Sequence, residues 1–230
     1  MSLRVRAVCF DLDDTLWPVQ PVLQRAERLM HEFLAREHPR LAACFGSQEL
    51  WEERMSLARE YPQHAHHMTW LRTEALRRLA VRHAHDPAVG EAAFGVFKAA
   101  RNEVEVYADV TPSLQRLRQR FRLATFSNGN ADVDTMPIGS HFEVTLNAES
   151  VGYAKPHAEA FLAISRALNL PPQDILYVGD SPQADVQGAL EAGCRAAWVN
   201  RQGSEWPAQF SLRADLEVAT LTELVDHLNG

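Results

Sequence analysis

Long apolar runs are missing from this chain of 230 residues. Its first apolar stretch, Val5 to Phe10, falls far short of the roughly 20 residues a spanning helix needs, so neither a membrane span nor a secretory leader is expected. Cysteine is scarce. The three present, Cys9, Cys44 and Cys194, are odd in number and Cys9 lies within an apolar segment, so no disulfide framework is implied and a cytoplasmic location is expected. Positive charge is not in excess: a formal charge of -7 and a pI near 5.8 leave no electrostatic footprint for nucleic acid. Internal repeats and low-complexity linkers are absent as well. Lysine is rarer still, since only Lys98 and Lys155 stand among 23 basic residues. What remains is a globular composition, 46% hydrophobic, on a chain long enough for a core and a smaller second domain.

Against that background one run stands out, Phe10-Asp11-Leu12-Asp13-Asp14-Thr15-Leu16. Val5 to Phe10 reads as an apolar strand suited to the middle of a parallel sheet, and side chains at i and i+2 lean the same way from a strand. Asp11 and Asp13 are therefore expected to face one small volume. Two like charges so close repel unless a cation or a proton intervenes. One reading is a divalent metal beside a carboxylate that attacks an electrophile, with the second carboxylate moving a proton. The other is a solvated turn, since Asp is common in turns.

Three further segments bear on that choice. Arg122 to Asn130 is a second apolar strand ending in Ser127, Asn128 and Gly129, a hydroxyl, an amide and a glycine suited to aiming donors at an anion. Lys155, in Tyr153-Ala154-Lys155-Pro156, is a lysine kept by a chain that otherwise uses arginine, which suggests a point charge rather than a planar fork. Ile175 to Gly179 is a third apolar strand running into Asp180 and Ser181, with Asp185 at a helix start. Asp185 there is also an ordinary cap.

The coarse pattern is α/β. Strand-like segments at 4–10, 122–127, 142–147, 174–179 and 195–200 alternate with helical ones at 112–120, 157–168, 183–192 and 221–228. That alternation predicts a Rossmann-like, doubly wound parallel sheet with helices on both faces. Residues 17–105 are strand-poor, with apolar residues at helical spacing in Val22, Ala26, Leu29 and Phe33 and again in Trp70, Leu71, Leu76 and Leu79. The expected division is a core of residues 1–16 with 106–230 and an inserted α-helical domain of residues 17–105.

Together the four segments resemble the haloacid dehalogenase superfamily, and the resemblance covers nearly the whole chain. The family's Asp-x-Asp-x-Thr motif matches Asp11, Asp13 and Thr15; its Ser or Thr after a strand matches Ser127. Its Lys, commonly followed by Pro, matches Lys155 with Pro156, and its acidic Gly-Asp-Ser-x-x-x-Asp motif matches Gly179, Asp180, Ser181 and Asp185. The resemblance implies a Mg²⁺-dependent hydrolase acting on a small phosphomonoester through an aspartyl-phosphate. Asp11 would be nucleophile and metal ligand, Asp13 the acid and base that also lends its backbone carbonyl to the metal, and Asp180 the second carboxylate ligand. Asp185 would reach the metal through water or orient its neighbours, and Thr15 would support the site. Ser127, the Asn128 N–H and Lys155 would hold the phosphoryl oxygens. A phosphate monoester is a dianion, so a carboxylate approaches it only where positive charge cancels the repulsion.

Asp13 separates the reactions this scaffold can run. An alkoxide leaving group benefits from a positioned acid, whereas halide needs no proton, so Asp13 argues against carbon–halogen cleavage. Lys98 is the sole lysine for a Schiff base in the inserted domain and is poorly placed for one. A phosphomutase uses the same acid but excludes water, and a non-catalytic binding module usually loses part of such a constellation. The inserted domain would act as a cap selecting the substrate. Within it, His64, His66, His67, Thr69, Trp70 and Arg72 suit substrate contact, a metal, or simply a polar loop over a packed core. Trp17 suits the pocket mouth, a hinge or a packing role. The first motif, Ser127 to Ala131 and Met68 to Arg72 further resemble bacterial phosphatases acting on flavin mononucleotide and on phosphorylated ribitylaminouracil; there Trp17, Tyr61 or Trp70 would meet an aromatic ring.

Overall fold

The computed structural model describes residues 4–229; residues 1–3 and 230, which fall within the expected core segments, lie outside it. Contact clustering divides the chain into two compact units, one formed by the chain up to Pro18 with the chain from Glu105 onward, the other by Val19–Val104.

The first unit is built on six parallel strands: β1 (Ala7–Phe10), β2 (Arg122–Ser127), β3 (Val144–Asn147), β4 (Ile175–Gly179), β5 (Arg195–Val199) and β6 (Leu216–Val218). Their order is β3-β2-β1-β4-β5-β6, the doubly wound order in which the crossovers change direction beside β1. Every residue of β1 and β4 is buried, as strands covered on both faces require. Register places Phe10 opposite Thr125 on one side and Val178 on the other, so β1, β2 and β4 end together at the carboxyl edge of the sheet. Phe161 and Ile164 of the Ala158–Leu168 helix pack on the sheet with Cys9, Phe126 and Tyr177.

Two elements depart from the expected pattern. β6 has only three residues and shows too little alternation to stand out in the sequence. The helix expected over 183–192 is present, but its first part, Pro182–Gln187, is wound as a π-helix and only Gly188–Glu191 as an α-helix. The N–H groups of Asp185 and Val186 both reach the Ser181 carbonyl, which opens the helix start.

The second unit is helical, with Val19–Glu37, Ser47–Glu60, Met68–Arg82 and Val89–Arg101 as its main elements. Its core gathers Met30, Leu34, Leu57, Leu71, Leu79 and Phe97. On the first helix the buried stripe is Val22, Ala26, Met30 and Leu34, whereas Leu29 and Phe33 of the expected stripe are only partly buried. The observed stripe is the i, i+4 row, which drifts around a 3.6-residue helix, and both sets share Val22 and Ala26 before diverging.

Candidate active site

The site lies where β1, β2 and β4 end. Asp11, one residue past β1, still donates its N–H to the Val178 carbonyl at 2.8 Å, so the ladder aims it rather than a loose loop. Beyond it the chain turns tightly: Leu16 N–H reaches the Leu12 carbonyl and Asp14 N–H the Trp17 carbonyl, both at 2.7 Å, with Asp14 in the left-handed region at φ 58°. Asp tolerates that conformation better than most residues. The expected convergence of Asp11 and Asp13 is observed. They line one cavity of about 170 Å³ together with Ser127, Asn128, Lys155, Asp180 and Asp185, all named by the sequence motifs.

Lys155 organises the interior of this site. Its buried ammonium donates to Asp11 Oδ1 at 2.5 Å, to Asp185 Oδ1 at 2.7 Å and to the Tyr177 hydroxyl at 2.7 Å. Burial works against the charge, but Asp11 and Asp185 outweigh it and hold the Lys155 pKa above its ordinary value. Its backbone is clamped by the Asn128 side chain, which accepts from Lys155 N–H at 2.8 Å and donates to the Lys155 carbonyl at 2.9 Å. Asn128, expected to contribute through its backbone N–H, thus also sets the position of the lysine. Ser127 Oγ accepts from Gly129 N–H at 2.9 Å and shapes the turn after β2.

The β4 end is fitted around Asp185. A Cβ on Gly179 would stand 2.3 Å from the Asp185 carboxyl carbon, so only glycine lets that carboxylate approach the strand. Its Oδ2 accepts from Ser181 N–H at 2.8 Å while Oδ1 serves Lys155. Asp180 accepts from Thr15 Oγ1 at 3.2 Å, and its carbonyl accepts the Trp198 indole N–H at 2.8 Å. Burial, with Asp185 and Asp14 nearby, pushes the Asp180 pKa up to about 7. Burial likewise pushes Asp11 upward against the pull of Lys155.

These carboxylates fit a divalent cation. Ligand-capable oxygens of Asp11, Asp180 and Asp185 lie within 4.8 Å of one another, and the Lys155 ammonium pairs with two of the three carboxylates, Asp11 and Asp185. Both Asp185 oxygens already accept protein hydrogens, whereas Asp11 and Asp180 each use one oxygen in the contacts described above. The donor set is hard oxygen, which suits Mg²⁺. The Asp13 carboxylate is not part of this trio.

Of the roles open to Trp17, the structure gives it packing. It is not at a pocket mouth: the turn after β1 folds it fully inside, and its indole N–H donates to Asp13 Oδ1 at 2.9 Å. In the helical unit, His67 caps the Met68–Arg82 helix, its Nδ1 accepting from Trp70 N–H at 3.2 Å. Trp70 packs edge-on against Tyr61, with ring centres 5.4 Å apart, and against His64 at 4.7 Å. Arg72 lies over the Phe97 ring at 4.1 Å. Tyr177 and Trp198 were not singled out in the sequence, since each occupies an ordinary apolar strand position.

The model of haloacid dehalogenase-like hydrolases matches residues 5–193, and the chain belongs to that family. It is 29% identical to the 5-amino-6-(5-phospho-D-ribitylamino)uracil phosphatase YigB of Escherichia coli, over 96% of this chain and 97% of that protein. It is also 29% identical to a glyceraldehyde 3-phosphate phosphatase of Methanopyrus kandleri, over 96% of each. Among solved structures, a protein described as a 2-haloacid dehalogenase from Pseudomonas syringae superposes with a TM-score of 0.93 at 33% identity, over 98% of both chains. No described helix is long and apolar enough to cross a membrane.

Proposed function

We propose that this hydrolase is a Mg²⁺-dependent phosphomonoesterase working through an aspartyl-phosphate on Asp11, with small phosphorylated metabolites as substrates. The observation that carries the reading is Asp13, held by the Trp17 indole and lining the same cavity as Asp11. A carbon–halogen bond needs no acid at that place, whereas an ester oxygen does.

An Asp11 oxygen attacks phosphorus as the bond to the ester oxygen breaks, and Asp13 gives its proton to the departing alkoxide. Asp13, now a carboxylate, takes a proton from water; that water attacks phosphorus, the bond to Asp11 breaks, and inorganic phosphate leaves. Lys155 orients Asp11 and favours its ionised form against the push of burial, and Ser127 with the Asn128 N–H holds phosphoryl oxygens. Asp11, Asp180 and the Asp13 carbonyl would hold the Mg²⁺, with Asp185 and Thr15 orienting them. Bound there, the ion supplies positive charge against the phosphate dianion.

The likeness to the Escherichia coli enzyme supports phosphorylated ribitylaminouracil as the substrate, and the resemblance of the motifs adds flavin mononucleotide, with the helical segment 17–105 acting as the selecting cap. The low cysteine content supports a cytoplasmic setting. Phosphate release is to be measured from p-nitrophenyl phosphate, flavin mononucleotide, sugar phosphates and nucleotides, each with Mg²⁺ and with chelator. Chelator-sensitive release with a flavin preference is expected; no release from any member would overturn the reading.

A further inference from the structure

The helical unit contains a cationic cluster that the catalytic scheme does not use. The Arg54 and Arg72 guanidinium groups both face one oxygen, Glu27 Oε1, at 3.8 and 3.6 Å. Neither distance makes a hydrogen bond. Their side chains are only 13% and 14% exposed, so solvent satisfies few of their donors, while Glu27 at 31% leaves an approach open. Arg54 Nε is buried with no hydrogen-bond partner among the described residues. Buried polar groups in folded proteins are nearly all paired, and an exception calls for an explanation such as a bound ion or ligand.

The electrostatics agree with the geometry. Burial, then the neighbouring Arg54 charge, pulls the Arg72 pKa down to about 9 despite Glu27, and burial lowers Arg54 as well. The Phe97 ring, 4.1 Å from the Arg72 guanidinium carbon, fixes the position of that group by a cation–π contact. Two guanidinium forks against one carboxylate leave a net positive charge. An anion with several acceptor oxygens is the chemistry that complements it.

We infer that the helical unit carries an anion site in which Arg54 and Arg72 together bind a carboxylate or phosphate group. Glu27 competes for the same two cations. The anion can be a second charged group of the substrate or a free small anion, and the site itself is independent of the phosphatase reading.

The test is titration with malonate, followed by calorimetry, of the full-length protein and four variants. Saturable binding is expected for wild type and for Asp11→Asn, at least tenfold weaker binding for Arg54→Met and Arg72→Met, and several-fold tighter binding for Glu27→Gln. The last variant keeps both arginines, so it tests the site even where an arginine variant fails to fold by circular dichroism. Absence of saturable binding by wild type, equal affinity in folded arginine variants, or weaker binding by Glu27→Gln would each overturn the site. A second arm compares kcat/KM for 4-carboxyphenyl phosphate and p-nitrophenyl phosphate. A fall in that ratio in the arginine variants assigns the anion to the substrate, and an unchanged ratio alongside lost malonate binding assigns it to a free anion. Only this arm rests on the phosphatase reading.

Discussion

The Lys155 ammonium and the Tyr177 hydroxyl meet at 2.7 Å, and the same hydroxyl donates to the Phe126 carbonyl at 2.7 Å. The tyrosine proton is committed to β2, so its oxygen can only accept from the lysine. With Asp11 and Asp185, all three ammonium hydrogens have acceptors, and a freely rotating point charge becomes a fixed tripod. Tyr177→Phe removes one leg, leaving one Nζ–H without its acceptor and the Phe126 carbonyl without the tyrosine hydroxyl. A loss of about 1–3 kcal/mol in stability is expected. Positioning predicts in addition a fall in kcat for p-nitrophenyl phosphate beyond any change in KM; an unchanged kcat at the reduced stability would assign the tyrosine a purely structural role.

Asp13 and its indole partner make a leaving-group prediction. Asp13→Asn removes the proton donor and should lower kcat by roughly 10²- to 10⁴-fold for alkyl phosphates. The loss should be much smaller for p-nitrophenyl phosphate, whose phenolate leaves without help. Trp17→Phe deletes the N–H that holds Asp13 and should reproduce the same bias at smaller size. Equal losses on both substrate types, measured by steady-state kinetics, would remove Asp13 from the acid role.

Asp11→Asn should abolish turnover while circular dichroism stays native, because Lys155 retains Asp185 and Tyr177 as acceptors. Mass spectrometry of wild type quenched in acid during turnover should show a protein heavier by one phosphoryl group, absent from the variant. Full activity in Asp11→Asn would rule out the aspartyl-phosphate.

The raised Asp180 pKa links stability, pH and metal. Held at about 7 by burial and by Asp185 and Asp14, the group keeps a proton in the folded chain that it loses near pH 4 when unfolded. Between those values the folded state binds more protons, so the metal-free protein loses stability as pH rises from about 4 to 7. A divalent cation favours the ionised form. The increase in Tm on adding Mg²⁺ should therefore be larger at pH 8 than at pH 5.5, and Asp180→Asn should remove most of that difference. A Tm increment independent of pH in wild type would contradict a metal on Asp180.

Thiol chemistry gives an independent check on the fold. Cys9 and Cys194 are buried, and burial raises both, Cys194 to about 12, whereas Cys44 is exposed. The thiolate is the reactive form. Ellman's reagent at pH 8 should therefore titrate one thiol in native protein and three after denaturation. More than one fast native thiol would mean that β1 or the Cys194 turn is not packed as described.

Much of the catalytic constellation was legible in the sequence because Asp11, Ser127 and Asp180 stand at the ends of hydrophobic strands, Asp185 lies at a helix start, and Lys155 is a rare lysine in a chain that otherwise uses arginine. Asp11, Ser127 and Asp180 follow runs whose burial on both faces demands apolar residues, so the polar residue at the end of each run marks the sheet edge. The register of three parallel strands then brings those ends together. Partners that lie within the runs gave no such contrast. Tyr177 reads as one more apolar strand residue, and only packing reveals that its hydroxyl links Lys155 to β2. For Trp17 the sequence leaves pocket mouth, hinge and packing open, because it carries no sign of a turn that folds back onto Asp13; the Asp14 left-handed conformation makes that turn. Arg54, Arg72 and Glu27 come from three separate helices, and no spacing along the chain predicts that two cations share one carboxylate. Local patterning alone determined the strand order's raw material and the reacting groups, since both follow from what a buried strand tolerates. Tertiary structure decided which side chains hold those groups still, because that depends on contacts between segments far apart in sequence.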